Sequence, residues 1–360
     1  MAEELVLSSS PHIFGRDSVP RIMHTVWLCL MPACAAAVWF FGVDAVRVLL
    51  VSTASCVALD VVLLRLRGSS WPAAWQAARD ASAVVTGVLL ALCLPPSSPT
   101  WMVVVGSLVA MALGKHVYGG LGNNPFNPAL VARVFLLISF PTQMITWTPP
   151  VGEVTDTASD RAQIYSETMA AQGIEGATYA TPLGLLKEAQ RDGTSAEEAA
   201  EIRAEVARAY PVSSLFLGRI GGSVGEVSAL ALLLGGAVLL WRRIITWHIP
   251  ISFVASTAAV TGLAWALRPE VYADPVVHVL SGGLLLGALF MATDPVTCPM
   301  SQPGQIIFGV GCGLLTAVIR LWGGYPEGVA FAILVMNGVT PLIDASTRPR
   351  RFGERRGRST

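Results

Sequence analysis

Apolar and polar positions alternate along this chain in long blocks. Ten stretches are apolar enough to be read as membrane helices: 22–41, 45–64, 81–94, 101–113, 128–145, 227–240, 244–267, 276–291, 306–321 and 329–343. A helix needs about 20 mostly apolar residues to cross the hydrocarbon core. Several of these stretches are shorter and glycine-rich, which is tolerated where a helix lines a cavity or packs inside a bundle. Between the fifth and sixth stretches lies one long polar segment, from about Thr148 to Val212. Its second half, "SAEEAAEIRAEVARA", spaces Ala against Glu and Arg at helical intervals and predicts an exposed helix starting near Ser195. Just upstream stands "EGATYATPL", residues 175–183, rich in small residues and threonine. The pattern predicts an all-α polytopic membrane protein of about ten transmembrane helices.

Composition strengthens that reading. The 360 residues are 53% hydrophobic and only 13% charged, against about a quarter charged in ordinary soluble domains. The first twenty residues lack the basic head and apolar stretch of a cleavable signal. The formal net charge of zero hides strong segregation. If the N-terminus is inside, the inner short segments hold Arg16, Arg21, Arg65, Arg67, Arg79, Lys115, Arg242 and Arg243. The tail "STRPRRFGERRGRST" adds more arginines on that side, while the outer short loops hold Arg47, Arg268 and Arg320 at most. The positive-inside rule then places both termini in the cytoplasm and the acidic 148–212 segment outside. Four regions follow: an N-terminal five-helix half (1–147), an extracytoplasmic loop region (148–212), a C-terminal five-helix half (213–345) and a basic tail (346–360).

The two halves resemble each other. "LGKHVYGGLGNNPFNPALVARVFLL" overlays "VIRLWGGYPEGVAFAILVMNG", matching Gly119-Gly120 to Gly323-Gly324, and "VTGVLLALCLPP" overlays "SGGLLLGALFMATDP". We read this as two parallel five-helix repeats of the transporter kind.

Candidate chemistry concentrates in the broken segments. In "GGLGNNPFNPAL" the glycines permit tight backbone turns and the prolines interrupt any helix. Asn123, Asn124 and Asn127 supply donors and acceptors suited to the polar edge of a flat heteroaromatic ring, or simply cap the broken helix. Asp294, in "MATDPVT", is an ionisable group near the membrane, where such groups are costly and commonly functional. It serves an ion path, caps a helix, or pairs with Arg133 or Arg320. Asp60, Glu226 and Asp344 pose the same question. The six cysteines form no C-x-x-C pair and read as small buried hydrophobes. The five histidines show no ligand spacing, so no metal site is expected. The chain has no Walker loop, hydrolase elbow, HExxH motif or G-x-G-x-x-G after a strand. Neither a catalytic residue of its own nor a nucleic-acid partner is expected.

These blocks together resemble one family. "SSPH" at 9–12, "SVPRIMHTVWLCLMPA", "GNNPFNPAL", "ATDPVT", "GGYPEGVAFAILVMN" and "PLIDASTRPRRFG" occur in the order found in D subunits of Rnf complexes. Those subunits are homologous to the B subunits of sodium-translocating NADH:quinone oxidoreductases. The resemblance covers nearly the whole chain and implies a membrane electron-transfer subunit that carries FMN. In that family FMN is attached as a phosphoester to a threonine in a motif Asp-x-x-Ser/Thr-Gly-Ala-Thr, usually followed by Pro-Leu. Thr181 of "ATPL" is then the acceptor and Thr178 takes the Ser/Thr position, with Glu175 in place of the aspartate and Tyr179 where a small residue is usual. A threonine hydroxyl is a weak nucleophile, so a separate flavin transferase is implied. The resemblance also implies non-covalent riboflavin near Asn124 and Asn127, and ion movement coupled to electron transfer, for which Asp60, Asp294 and Asp344 are the candidate carboxylates the chain itself offers. The implied setting is a bacterial or archaeal plasma membrane, with membrane lipid and the other Rnf subunits as partners. The implied reaction is ferredoxin:NAD oxidoreduction coupled to Na+ or H+ movement. A quinone-reductase subunit and a urea-channel-like transporter are the alternative readings.

Overall fold

A computed structural model of the chain describes residues 18–148, 150, 181–190, 196–218 and 220–348. Among the described residues every regular element is helical. The first half opens with two long helices, α1 (Val19–Phe41) and α2 (Val43–Leu66), joined at Gly42 with φ of 61°. A short α3 (Trp71–Ala78), capped by Ser70, leads to α4 (Ser82–Leu92). Next comes α5 (Thr100–Val109), which widens into a π-helical segment, Ala110–His116. An irregular stretch, 117–127, follows, with positive φ at Gly119, Gly120 and Gly122. It ends at α6 (Pro128–Ser139), and Pro141 then breaks the chain into the one-turn α7 (Pro141–Met144).

Beyond the polar segment lie α8 (Pro182–Glu188), α9 (Ala196–Ala209) and α10 (Val212–Leu217). The helix expected near Ser195 is α9. The second half contains α11 (Ala229–Trp241), α12 (His248–Leu267), α13 (Pro275–Leu280), α14 (Leu284–Leu286), α15 (Gln302–Trp322) and α16 (Val329–Ser346). The eighth predicted span is not one rod. It breaks at Ser281-Gly282-Gly283, where Gly282 has φ of 69°, and resumes as α14 and a π-helical turn, Gly287–Met291. Among the described residues, five helices are long and apolar enough to cross a membrane, and four shorter apolar ones accompany them. The protein is therefore an all-α, multi-pass membrane protein.

The repeat is inverted rather than parallel. Ile22 and Val26 near the start of α1 line the same cavity as Leu239 at the end of α11, and Gly235 of α11 sits against the Cys29 carbonyl. The first helices of the two halves thus run antiparallel. α4 runs from Ser82 at that cavity toward Leu92, whose carbonyl accepts the Gly225 N–H (2.7 Å) at the far end. Its counterpart runs the other way, from Ser281 at the far end to Asp294 at the cavity. An odd number of crossings in the repeated unit has this effect: the chain leaves it on the opposite side, and a second copy enters upside down.

Candidate functional site

Two clefts lie at opposite ends of the bundle, each beside a broken segment. One opens at the end that carries the start of α1 and the end of α2. This basic-end cleft is lined by Lys115, Asn124, Asn127, Thr293 and Asp294 among apolar side chains. Pro128 and Asn127 explain the local fold. Asn127 caps α6, its Oδ1 accepting from the N–H groups of Ala129 (3.0 Å) and Leu130 (3.4 Å), and proline suits the first helical position. Its Nδ2 donates to the Met291 carbonyl at 3.3 Å, tying the broken segments of the two halves together. Asn127 therefore has its hydrogen-bonding capacity engaged. Asn124 differs: Nδ2 donates to Phe126 O at 3.1 Å, while Oδ1 is buried with no partner among the described residues. A buried acceptor without a partner is costly and fits a ligand N–H.

The three aspartates gather at this end. Asp294 lines the cleft and accepts from Val296 N at 3.2 Å, a turn contact rather than a pair with Arg133 or Arg320, which lie at the other end. Asp60 of α2 is 1% exposed, and its Oδ1 meets Lys115 Nζ at 2.8 Å and His116 Nε2 at 2.7 Å. Lys115 also donates to Ser82 Oγ at 2.9 Å. Asp344, near the end of α16, accepts from Met300 N at 3.1 Å.

The second cleft, of about 660 Å³, opens at the opposite end between Met144, Trp147, Thr181, Gly221, Tyr325 and Glu327, with Arg133 and Glu226 at its floor. Thr181 stands at its rim as the cap of α8. Its Oγ1 accepts from Gly184 N at 3.1 Å, and Pro182 takes the first helical position. Leu183 and Leu186 bury the inner face of α8. Lys187 Nζ reaches the Arg320 and Leu321 carbonyls at 3.4 Å, and its partial burial lowers its pKa. Thr178, Glu175 and Tyr179 lie outside the described residues, as does most of the 148–212 segment.

The chain's sequence read alone does not reveal the floor of this cleft. Arg133 donates to both Glu226 (3.3 Å) and Glu327. Glu327 also accepts the Gly283 N–H, and Arg320 donates to the carbonyls of His278 and Ser281. A Cβ on Gly283 would lie 3.0 Å from Glu327 Oε1 and 3.2 Å from Glu226 Oε1, so this break in the helix is where the acidic groups converge. The sequence marks Arg133, Arg320 and Glu226 as costly charges near the membrane, but pairs the arginines with Asp294 and does not single out Glu327. All six cysteines are free, and five of them are buried.

The chain matches the NQR2, RnfD, RnfE family over residues 6–353. It is 41% identical to the D subunit of the ion-translocating oxidoreductase complex of Escherichia coli O157:H7 (strain EC4115 / EHEC), over 98% of this chain and 99% of that one. The same identity and coverage hold for the corresponding proteins of Shigella dysenteriae serotype 1 (strain Sd197) and Escherichia coli (strain K12 / DH10B).

Proposed function

The chain belongs to the NQR2, RnfD, RnfE family, and from that premise we propose that it is a flavin-carrying electron-transfer subunit of an Rnf-type complex. As a subunit of an ion-translocating oxidoreductase complex it works with other membrane and peripheral subunits. NAD and ferredoxin bind on those partners. The observation that carries the flavin reading is the position of Thr181. Its hydroxyl stands at the rim of a cleft lined by Trp147, Tyr325, Arg133 and Glu226, and its hydrogen bond there is the acceptor contact with Gly184 N. That oxygen can form a phosphoester and keep a lone pair toward Gly184. A flavin transferase makes the bond, because no described residue beside Thr181 activates the hydroxyl. Attachment through the phosphate leaves the ring held by the cleft. Trp147 and Tyr325 offer it aromatic surface, and the Arg133 guanidinium offers a fixed positive charge.

At the basic end, the partnerless Oδ1 of Asn124 fits the ring N–H of a non-covalent riboflavin, with Lys115 and Asp294 alongside. Flavins supply one- and two-electron transfer. The chain's residues orient the rings and set their electrostatic surroundings, one site near each membrane face. The arginine and lysine bias puts the basic end, and with it both termini, on the cytoplasmic side of the plasma membrane. Thr181 is then outside. Asp60, Asp294 and Asp344, all near the basic end, are the carboxylates placed to meet a coupling cation, Na+ or H+.

The test is direct. On a denaturing gel the purified chain gives a fluorescent band, and its intact mass exceeds the sequence mass by one phosphoester-linked FMN. Thr181→Ala abolishes both signals, and Thr178→Ala leaves them in place. Loss with Thr178→Ala alone would assign the wrong acceptor.

A further inference from the structure

The floor of the Thr181 cleft holds more charge than a cofactor mouth needs. Arg133 comes from α6, Glu226 from the connection before α11, Glu327 from the connection before α16, and Arg320 from the last turn of α15. Arg133, Glu226 and Arg320 are each more than nine-tenths buried, while the Glu327 side chain keeps 19% of its surface exposed where the cleft opens. Ser223 Oγ donates to Glu226 Oε1 at 2.9 Å, and the Gly283 N–H donates to Glu327. Both carboxyl groups meet the same Arg133 Nη2, and an oxygen of each lies 3.0 Å (Glu327) or 3.2 Å (Glu226) from where a Cβ on Gly283 would stand. Two carboxylates crowded into one buried site disfavour double ionisation, so the pair holds one proton between them.

Charge counting then gives the cluster a defined sign. Two guanidinium groups and one carboxylate leave a net charge of +1. From the neighbouring elements the buried Cys93 thiol, just past the end of α4, faces Arg133, and Lys187 of α8 lies over the end of α15. His278 of α13 is buried beside Arg320, with neither ring nitrogen bonded among the described residues. None of these groups supplies a second carboxylate to balance the arginines.

We propose that Glu226 and Glu327 are a proton-exchange pair that follows the charge of the redox group held at Thr181. This rests on the reading of Thr181 as a flavin anchor. Electrons delivered by the redox partners of the complex make the cleft more negative. The pair then takes a proton from water at the mouth: an O–H bond forms on the remaining carboxylate, and both groups become carboxylic acids. Re-oxidation breaks that O–H bond and returns the proton to water. Glu327, which reaches the opening, is the side on which the proton enters, and Glu226 is the buried partner.

Infrared difference spectra of the intact complex, reduced minus oxidised, read this out. The wild-type complex gains a carboxylic-acid carbonyl band on reduction. Glu226→Gln and Glu327→Gln each remove that gain, Glu327→Asp shifts the band, and Asp44→Asn leaves it unchanged. A flavin-loaded complex with no such gain, or a gain that persists in both glutamine variants, overturns the proposal. Intact mass separates this from the anchor reading. A wild-type chain without added FMN sinks the anchor and the coupling together, whereas a flavinylated chain with a silent carboxyl region sinks the proton pair alone. In Thr181→Ala the static band of the shared proton remains and the reduction-linked gain disappears.

Discussion

Asp60, Lys115 and His116 show how one residue governs its neighbours. The Asp60 carboxylate is the only acidic partner of Lys115 among the described residues, and all three groups are buried. Removing one partner of a buried pair costs about 3–5 kcal/mol, and replacing the pair with apolar groups is far milder. Asp60→Ala is therefore expected to lower the thermal unfolding temperature sharply in detergent, and Asp60→Leu with Lys115→Met to recover most of the loss. Equal damage from the double variant would show that the pair does more than compensate charge. The two asparagines of "NNPFNP" separate in the same way. Asn127→Ala removes a helix cap, at about 0.5–2 kcal/mol. Asn124→Ala loses only the local Nδ2 contact with Phe126 O, because its Oδ1 bonds nothing among the described residues, so it costs less than the lost cap and releases the non-covalent flavin measured after gentle extraction. The sequence offered both asparagines as one motif. Capping and ligand binding draw on the same side-chain chemistry, and only the distances tell them apart.

At the scale of elements, the ten apolar runs were legible because lipid demands uninterrupted apolar surface. The breaks inside them were less so. The eighth run reads as continuous, yet Ser281-Gly282-Gly283 splits it, since a side chain at Gly283 would press on the carboxyl groups that converge there and Gly282 takes a left-handed φ. Nor does any periodicity announce the π-helical turns at Ala110–His116 and Gly287–Met291. Packing of α11 turns on two glycines. Gly235 lets its backbone touch the Cys29 carbonyl of α1, and Gly236 accommodates Leu289 on its other flank. Small residues of this kind set how closely membrane helices approach. Gly235→Val forces α1 and α11 apart, with a loss of about 1–3 kcal/mol expected from overpacking. A lower midpoint in denaturant unfolding, with the fluorescent flavin band retained, is the signature that checks it.

For the whole molecule, the sequence repeat was visible but its direction was not, because aligned letters carry no sense of up or down. Counting crossings supplies it: Gly119-Gly120 and Gly323-Gly324 match in sequence and sit at opposite ends. Single cysteines introduced at the exposed, repeat-equivalent positions Tyr118 and Trp322 should then react with a membrane-impermeant thiol reagent from opposite sides of sealed vesicles. Labelling from one side would refute the inverted arrangement. The inversion also bears on how the chain is made. Arg133 belongs to the fifth crossing, while its partners Glu226 and Glu327 lie 93 and 194 residues further along. A ribosome therefore delivers a bare guanidinium to the bilayer well before either counter-charge exists. Until the second half emerges, the first has to shelter that arginine in the insertion machinery, in headgroups or in water. Nascent chains halted before Glu226 should accordingly be the forms that membrane quality control removes first.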